Sequence, residues 1–343
     1  MPHYKLALLG FGNVGQALAR LLLQKEAELI DIYHLTFSVT GIATARHGIA
    51  INPDGIDLPQ ALRRMEHGAS LNDLSTREKP ADAHEFIREC GADVLFENSP
   101  VNYANGQPAV DHLKTALECG LHAITANKGP VVHAYRELTE LARNHGVRFY
   151  FESTVMDGAP IFSLYREALP GARVSSLRGV LNSTTNLILT RMENGESFEQ
   201  AVAYAQAIGI AETDPSGDVD GWDAAVKISA LATVLMGAPL KPADVDRQGI
   251  RGITPEQIAA ANAQGGRWKL VCTALRQGEG ARASVRPEIV LADSPLYRVD
   301  GTTSILQIES DVLGLLSIIE ENPGPHTTAY GLLADFLNAV RAR

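Results

Sequence analysis

The residues of this chain best suited to chemistry lie between Gly209 and Lys227, in the run G-I-A-E-T-D-P-S-G-D-V-D-G-W-D-A-A-V-K. Five carboxylates (Glu212, Asp214, Asp218, Asp220 and Asp223) fall in a Gly- and Pro-containing loop that leads into an almost wholly apolar helical stretch. Lys227 follows Asp223 by four positions, so the two side chains share a helix face. The stretch continues V-K-I-S-A-L-A-T-V-L-M, which predicts burial of its other positions. Burial lowers a lysine pKa and a neighbouring carboxylate raises it. A lysine held between those effects is a candidate proton donor or acceptor. An ordinary Asp–Lys helix pair has the same spacing, so spacing alone does not decide between the two. The acids could instead bind a divalent metal, but the run lacks the register of a calcium loop and contains no histidine.

A second constellation stands at the N-terminus. Tyr4 to Leu9 reads as a short apolar strand, and Gly10-Phe11-Gly12-Asn13-Val14-Gly15 then gives a complete G-x-G-x-x-G ahead of the helical run A-L-A-R-L-L-L. Each glycine has a physical reason: Gly10 for the tight turn, Gly12 for close approach of a pyrophosphate, Gly15 for close packing of helix on strand. Phosphates would then sit at a helix N-terminus, where free N–H groups and the dipole favour anions. This pattern predicts a dinucleotide site.

The choice of dinucleotide should be made at the end of the second strand, expected over Leu35 to Ala43. The residues that follow are Thr44-Ala45-Arg46-His47-Gly48, with no acid to hold a ribose 2′-hydroxyl. Arg46 is suited to a 2′-phosphate instead, which favours NADP over NAD, although a solvated loop arginine would look the same. Two further strand ends carry polar residues where open α/β sheets bind ligands. Ser99, in E-N-S-P-V-N, could touch the cofactor or merely cap a turn. Lys128, in T-A-N-K-G-P, could contact phosphate or substrate, or be a surface turn lysine.

These sites need an α/β frame. Residues 4 to about 150 alternate short strands with helical stretches, which predicts a doubly wound parallel sheet. Strands are expected over 93–97, 121–125 and 147–151, helices over 107–118 and 131–145, and irregular structure with short helices over 51–80. From about residue 152 the pattern changes to a mixed α/β domain. It has a helix after Pro160, a strand over 174–181 and helices over 184–193, 198–208 and 220–236. Strands then run between 268 and 319, and a final amphipathic helix covers Thr327 to Ala342. The expected division is a dinucleotide-binding domain over 1–150, completed by residues 320–343, and a substrate-binding and dimerisation domain over 151–319.

A chain of 343 residues with 45% hydrophobic and 20% charged residues is ordinary for a two-domain globular enzyme. Its net charge of −10 argues against nucleic acid or an anionic membrane as a partner. No apolar run reaches transmembrane length and no signal-peptide pattern precedes the first strand. The three scattered cysteines, Cys90, Cys119 and Cys272, form neither a zinc spacing nor a disulfide framework; a reducing cytoplasm is expected, with all three free and buried.

Taken in order, G-F-G-N-V-G, S-P-V-N-Y, T-A-N-K-G-P, E-S-T-V-M-D-G-A-P (152–160), G-V-L-N-S-T-T-N-L-I-L (179–189) and the carboxylate run closely resemble homoserine dehydrogenase, in its short form without a regulatory domain. The resemblance spans roughly residues 4 to 340. It implies NAD(P)-dependent interconversion of L-homoserine and L-aspartate 4-semialdehyde, on the route to threonine and methionine, by a homodimer. It also implies roles for matching positions. Lys227 matches the proton donor and Lys128 the other active-site lysine. Glu212 and Asp223 match substrate-binding carboxylates, and Gly209 a backbone position near the cofactor. Glu152, Val155, Asp157 and Ala159 match a loop that holds a monovalent cation, sodium or potassium, mainly through backbone carbonyls. Holding the ammonium of an amino-acid substrate is a sensible task for a carboxylate-rich loop. The alternatives are a dehydrogenase retuned to another amino-acid or aldehyde substrate, and a non-catalytic dinucleotide sensor.

Three departures from the family pattern bear on these roles. Met156-Asp157 stand where the cation loop usually has glycines. Ile210 stands where a tyrosine often precedes the loop Glu by two residues. The stretch Glu321 to Ala329 has fewer glycines than the turn that normally returns to the cofactor, which leaves contacts by Gly324 or Thr328 undetermined.

Overall fold

A computed structural model describes residues 1–341 and divides them into two compact units, one of residues 1–160 with the C-terminal residues from 324, the other of residues 161–323. The first unit therefore runs past the boundary expected at residue 150. Ala342 and Arg343, the end of the expected C-terminal segment, lie outside the described residues.

The first unit holds the strands β1 (His3–Leu9), β2 (Thr36–Ala43), β3 (Ile49–Ile51), β4 (Val94–Glu97), β5 (His122–Thr125) and β6 (Phe149–Tyr150), in the order β3-β2-β1-β4-β5-β6. All neighbours are parallel except β3, which turns back antiparallel to β2. The apolar runs make this arrangement: all four β4 residues are buried, as a strand covered by helices on both faces requires. Helices α1 (Asn13–Asp31), α2 (Leu58–Glu66), α3 (Ala83–Glu89), α4 (Ala109–Glu118) and α5 (Lys128–Asn144) provide the cover. The C-terminal helix, Pro325–Val340, closes the unit against α1 and β5. Its Phe336 is fully buried and meets Tyr4 and Phe96 edge-on, with ring centroids 5.9 and 6.3 Å apart. Strand order reverses between β1 and β4, which makes that pair the ligand-binding switch point of the sheet.

The second unit is built on β7 (Val174–Val180), β8 (Asp246–Arg247), β9 (Gly266–Gln277), β10 (Gly280–Leu291), β11 (Ser304–Ser310) and β12 (Gly314–Glu320), in the order β12-β11-β7-β9-β10-β8. It is antiparallel apart from the β8–β10 pair, so the mixed-sheet expectation holds. Its helices are α6 (Ser183–Glu193), α7 (Phe198–Ala207), α8 (Ser216–Val219), α9 (Trp222–Leu235) and α10 (Pro255–Ala263). A π-helical turn, Leu164–Ala168, occupies the helix expected after Pro160.

Two expectations are corrected. The helix expected from Asp220 to Met236 is broken: α8 ends at Val219 and α9 starts at Trp222, because Gly221 takes a left-handed φ of +80° that interrupts helical geometry. Cys90 and Cys272 are buried, but Cys119 is exposed at the C-terminal end of α4, where the chain turns out of the helix.

Candidate active site

In the second unit, the break at Gly221 sets where α9 begins and so puts Asp223 in its first turn and Lys227 in the next. The Lys227 Nζ lies 3.2 Å from Asp223 Oδ2 and donates to the Leu181 carbonyl at 2.7 Å. Leu181 and Asn182 leave the end of β7, and Asn182 caps α6, its Oδ1 accepting from the Thr185 N–H at 2.8 Å. The Asn182 Nδ2 then donates to two carboxylates at once, Asp218 Oδ1 at 2.6 Å and Asp223 Oδ2 at 3.0 Å. Burial, and next the Asp223 carboxylate, raise the Asp218 pKa above the ordinary aspartate value; Asn182, Lys227 and Thr184 pull it the other way. The cluster thus sets two carboxylates against one ammonium in a largely enclosed place. It can hold a further cation and can move a proton through Lys227. Asp218 was read from the sequence only as one of five carboxylates, with no role of its own, and Asn182 was not singled out; the N-S-T-T helix start at 182 to 185 was the available signal for Asn182.

The remaining candidates of this unit lie outside that cluster. Glu212 is exposed on the loop after α7, and the Gln206 Nε2 donates to the carbonyls of Glu212 and Thr213 at 3.1 and 3.0 Å. Gly209 turns the chain out of α7 with a φ of +76°. Cys272 packs under α9, and burial pushes its thiol up to about 12, which makes it inert.

The dinucleotide motif of the first unit has the geometry its spacing predicts. A Cβ on Gly10, at φ +99°, would fall 2.4 Å from the Asn98 carbonyl oxygen, and one on Gly15 would fall 2.4 Å from the Gly10 carbonyl oxygen. At Gly12 nothing lies within 4 Å, so the backbone is open to a ligand. Gly12 also caps α1 without a side-chain hydrogen bond, which leaves N–H groups of the first turn for an anion. Phe11 is buried as an anchor, Val14 is half-buried and Asn13 is exposed at the start of the helix. Beyond the switch point, the buried side-chain atoms Asn98 Oδ1, Asn98 Nδ2 and Ser99 Oγ have no hydrogen-bond partner among the described residues. Buried polar groups are normally satisfied, so these atoms fit a polar ligand lying across the motif. Lys128 is half-buried as the first residue of α5, whose cap is Asn127.

Arg46 is exposed in the turn between β2 and β3. It lines a cavity of about 410 Å³ with Thr44, His47, Asn72 and Lys79. His47 is the chain neighbour of Arg46, whereas Lys79 is a basic neighbour that the sequence reading missed, because it joins this pocket only when the chain folds back.

The loop from Glu152 to Pro160 is tied to the C-terminal helix. The Glu152 N–H donates to Asp335 Oδ2 at 2.7 Å and the Ser153 hydroxyl to the Thr328 carbonyl at 2.7 Å. The Thr328 hydroxyl donates to Asp157 Oδ1 at 2.8 Å. Asp157 takes a φ of +40°, a conformation that suits glycine, and this hydrogen bond holds it there. A Cβ on Gly158 would fall 2.2 Å from the Thr327 carbonyl oxygen. Thr328 thus meets the loop rather than being free of it, and Glu152, Val155 and Ala159 are buried. Among the described residues no group of three or more His, Cys, Asp or Glu is arranged to hold a metal ion.

Comparison with known proteins decides the family. Residues 160–337 match the model of the homoserine dehydrogenase domain, and residues 10–152 match that of the homoserine dehydrogenase NAD-binding domain. The chain belongs to the homoserine dehydrogenase family. A relative from Pseudomonas canavaninivorans, named NAD(+)-dependent homoserine dehydrogenase, is 35% identical over 98% of this chain and 96% of its own. The crystal structure of a putative homoserine dehydrogenase from Archaeoglobus fulgidus superposes with a TM-score of 0.86 at 32% identity, covering 98% of both chains. A hyperthermophilic archaeal homoserine dehydrogenase in complex with NADPH gives a TM-score of 0.83 at 29% identity, covering 98% of this chain and 97% of that one. The protein is an NAD(P)-dependent oxidoreductase of this family, and no described helix is long and apolar enough to cross a membrane.

Proposed function

We propose that this homoserine dehydrogenase interconverts L-homoserine and L-aspartate 4-semialdehyde with Lys227 as the proton donor and acceptor. The observation that carries the proposal is the Asn182-bridged pair of Asp218 and Asp223 with Lys227 beside it. Two largely enclosed carboxylates facing one ammonium leave a negative charge that the ammonium of an amino-acid substrate would neutralise. Glu212, on the neighbouring loop, would add a third carboxylate to the substrate subsite.

A nicotinamide dinucleotide, when bound, would supply or accept the hydride. As the aldehyde is reduced, its oxygen gains negative charge. Lys227 stabilises that charge as a cation and delivers a proton from Nζ; in the alcohol-oxidising direction it takes the proton back. Asp223 and the Leu181 carbonyl fix Nζ for this task. Lys128, at the start of α5 in the first unit, is proposed as the other active-site lysine. In the first unit the Gly10–Gly15 turn would hold the pyrophosphate and Ser99 would add a cofactor contact; Gly209, in the second unit, is proposed as a cofactor-contacting backbone position.

NADP is the proposed preferred form. The pocket of Arg46, His47 and Lys79 is basic and no acid follows β2, which suits a 2′-phosphate. The Pseudomonas relative's name favours NAD, so both cofactors belong in the test. The carbonyls of Glu152, Val155, Asp157 and Ala159 are proposed to hold sodium or potassium. The second unit is proposed as the substrate and dimerisation domain: Leu315 and Ile319, on the edge strand β12, are 61% and 54% exposed, which suits a second copy of the chain. A cytoplasmic setting fits the reading.

The test is reduced-nicotinamide absorbance with L-homoserine at alkaline pH, comparing NADP and NAD in parallel. Homoserine-dependent reduction is expected, faster with NADP at equal cofactor concentration. A folded protein that binds NADPH and turns over neither cofactor would be a sensor or act on another substrate.

A further inference from the structure

The carboxylate of Glu97 takes no part in the chemistry above, yet it is 0% exposed and lies under the dinucleotide motif. Glu97 ends β4, paired with Leu9 of β1 on one side and with Thr125 of β5 on the other. That position is the switch point of the sheet. The three residues before it, Val94, Leu95 and Phe96, are buried apolar side chains, and an apolar residue would serve stability as well at Glu97. A carboxylate is kept in such a place at a cost, and its donors say what it holds.

Those donors come from both loops of the site. The Ser99 N–H donates to Glu97 Oε1 at 3.2 Å, and His112 Nδ1 stands 3.5 Å from the same oxygen. The Thr125 hydroxyl shares its proton between the Glu97 carbonyl at 2.8 Å and Oε2 at 3.2 Å. It accepts in turn from the Asn127 N–H at 2.9 Å. Asn127 then spans the gap: Nδ2 donates to the carbonyls of Ser99 at 3.1 Å and Pro100 at 3.4 Å, while Oδ1 accepts the Gly129 N–H at 3.0 Å and caps α5 beside Lys128. One carboxylate therefore fixes the loop that carries Ser99 and, through Thr125 and Asn127, the helix start that carries Lys128.

We propose that Glu97 is a positioning residue for hydride transfer, holding Ser99 and Lys128 in mutual register. The inference rests on the dehydrogenase reading above. The Gly10–Gly15 turn keeps its hold on the phosphates without Glu97, so the loss falls on orientation, where small displacements are costly.

The experiment measures homoserine-dependent NADP reduction by the wild type, Glu97→Ala, Glu97→Gln and Thr125→Val, with NADPH binding titrated by fluorescence on the same preparations. Glu97→Ala is expected to lower kcat about tenfold to a hundredfold, with the NADPH Kd changed by less than about threefold. Glu97→Gln, which keeps an acceptor for Ser99, is expected to retain kcat within about threefold. If Glu97→Ala does not fold, Thr125→Val carries the test, because it leaves Glu97 in place and cuts the link to Asn127. Its kcat should fall at least about fivefold at unchanged NADPH affinity. Full kcat in Glu97→Ala or Thr125→Val beside an active wild type overturns this inference alone, as does a Gln variant as impaired as Ala. A wild type that binds NADPH but never oxidises homoserine overturns the functional reading, and this inference with it.

Discussion

Lys227 keeps 14% of its side chain exposed and is anchored by the Asp223 carboxylate and the Leu181 carbonyl, so its ammonium has a fixed direction. Lys227→Ala is expected to lower kcat by about 10² to 10⁴ while leaving NADPH affinity unchanged; turnover that survived would remove it as proton donor. Asp218 stores a different signature. Its raised pKa means that the folded state prefers the protonated form, so above that pKa its ionised form opposes folding in the free protein. Asp218→Asn should therefore raise Tm at pH 8, whereas it should raise the homoserine KM about tenfold or more by removing a charged acceptor. A variant that gained stability at unchanged KM would separate Asp218 from substrate binding. Arg46→Ala is expected to weaken NADP binding by about tenfold and NAD binding much less; equal losses would take Arg46 out of the 2′-phosphate pocket.

The break between α8 and α9 shows how an element can aim a side chain. Gly221 is needed at φ +80°, and from there α9 points Asp223 and Lys227 at the end of β7. Gly221→Ala should cost about 1–2 kcal/mol in urea unfolding and lower kcat as well, since a shifted start to α9 moves Lys227. Activity unchanged per folded molecule would confine Gly221 to stability. The same stretch marks the limit of reading elements from sequence. The apolar periodicity of 224–235 was legible, but the run from Asp220 looked continuous because a glycine in a helical pattern does not declare its φ. Likewise α10 went unread although Thr254, Pro255 and Gln257 spell a capped helix start, which the structure forms as a reciprocal capping box. The dinucleotide turn was fully legible because its three glycines answer local steric demands. Asp218, Lys79 and Glu97 were not, because their partners are distant in sequence.

At the scale of the whole molecule, stability carries a pH signature from Lys269. This side chain is fully buried in the second unit, its Nζ donating to Asn186 Oδ1 at 2.9 Å and also to the Val299 carbonyl. Burial first, and then the neighbouring Arg267, lower its pKa from 10.5 to about 8. Below about 8 the lysine is charged in both folded and unfolded states and the cost of burying it is fully felt. That cost is relieved as pH rises from 8 towards 10.5. Compared with Lys269→Met, the wild type should therefore gain stability between pH 7.5 and 9.5, by up to about 3 kcal/mol over the full range. Parallel urea midpoints for the two proteins would refute a buried titration here.

The second unit is an insertion within the first, since the nucleotide sheet is begun by β1 and closed by Phe336 of the C-terminal helix. A ribosome makes the chain in the opposite order of need. The strands that bind the cofactor emerge first, but their hydrophobic face stays open until the residues past 324 appear. In between, the whole mixed sheet must be synthesised. Nascent chains halted before the last helix should thus expose the β1–β4 surface to chaperones, and cofactor binding should appear late and abruptly during synthesis rather than growing with length.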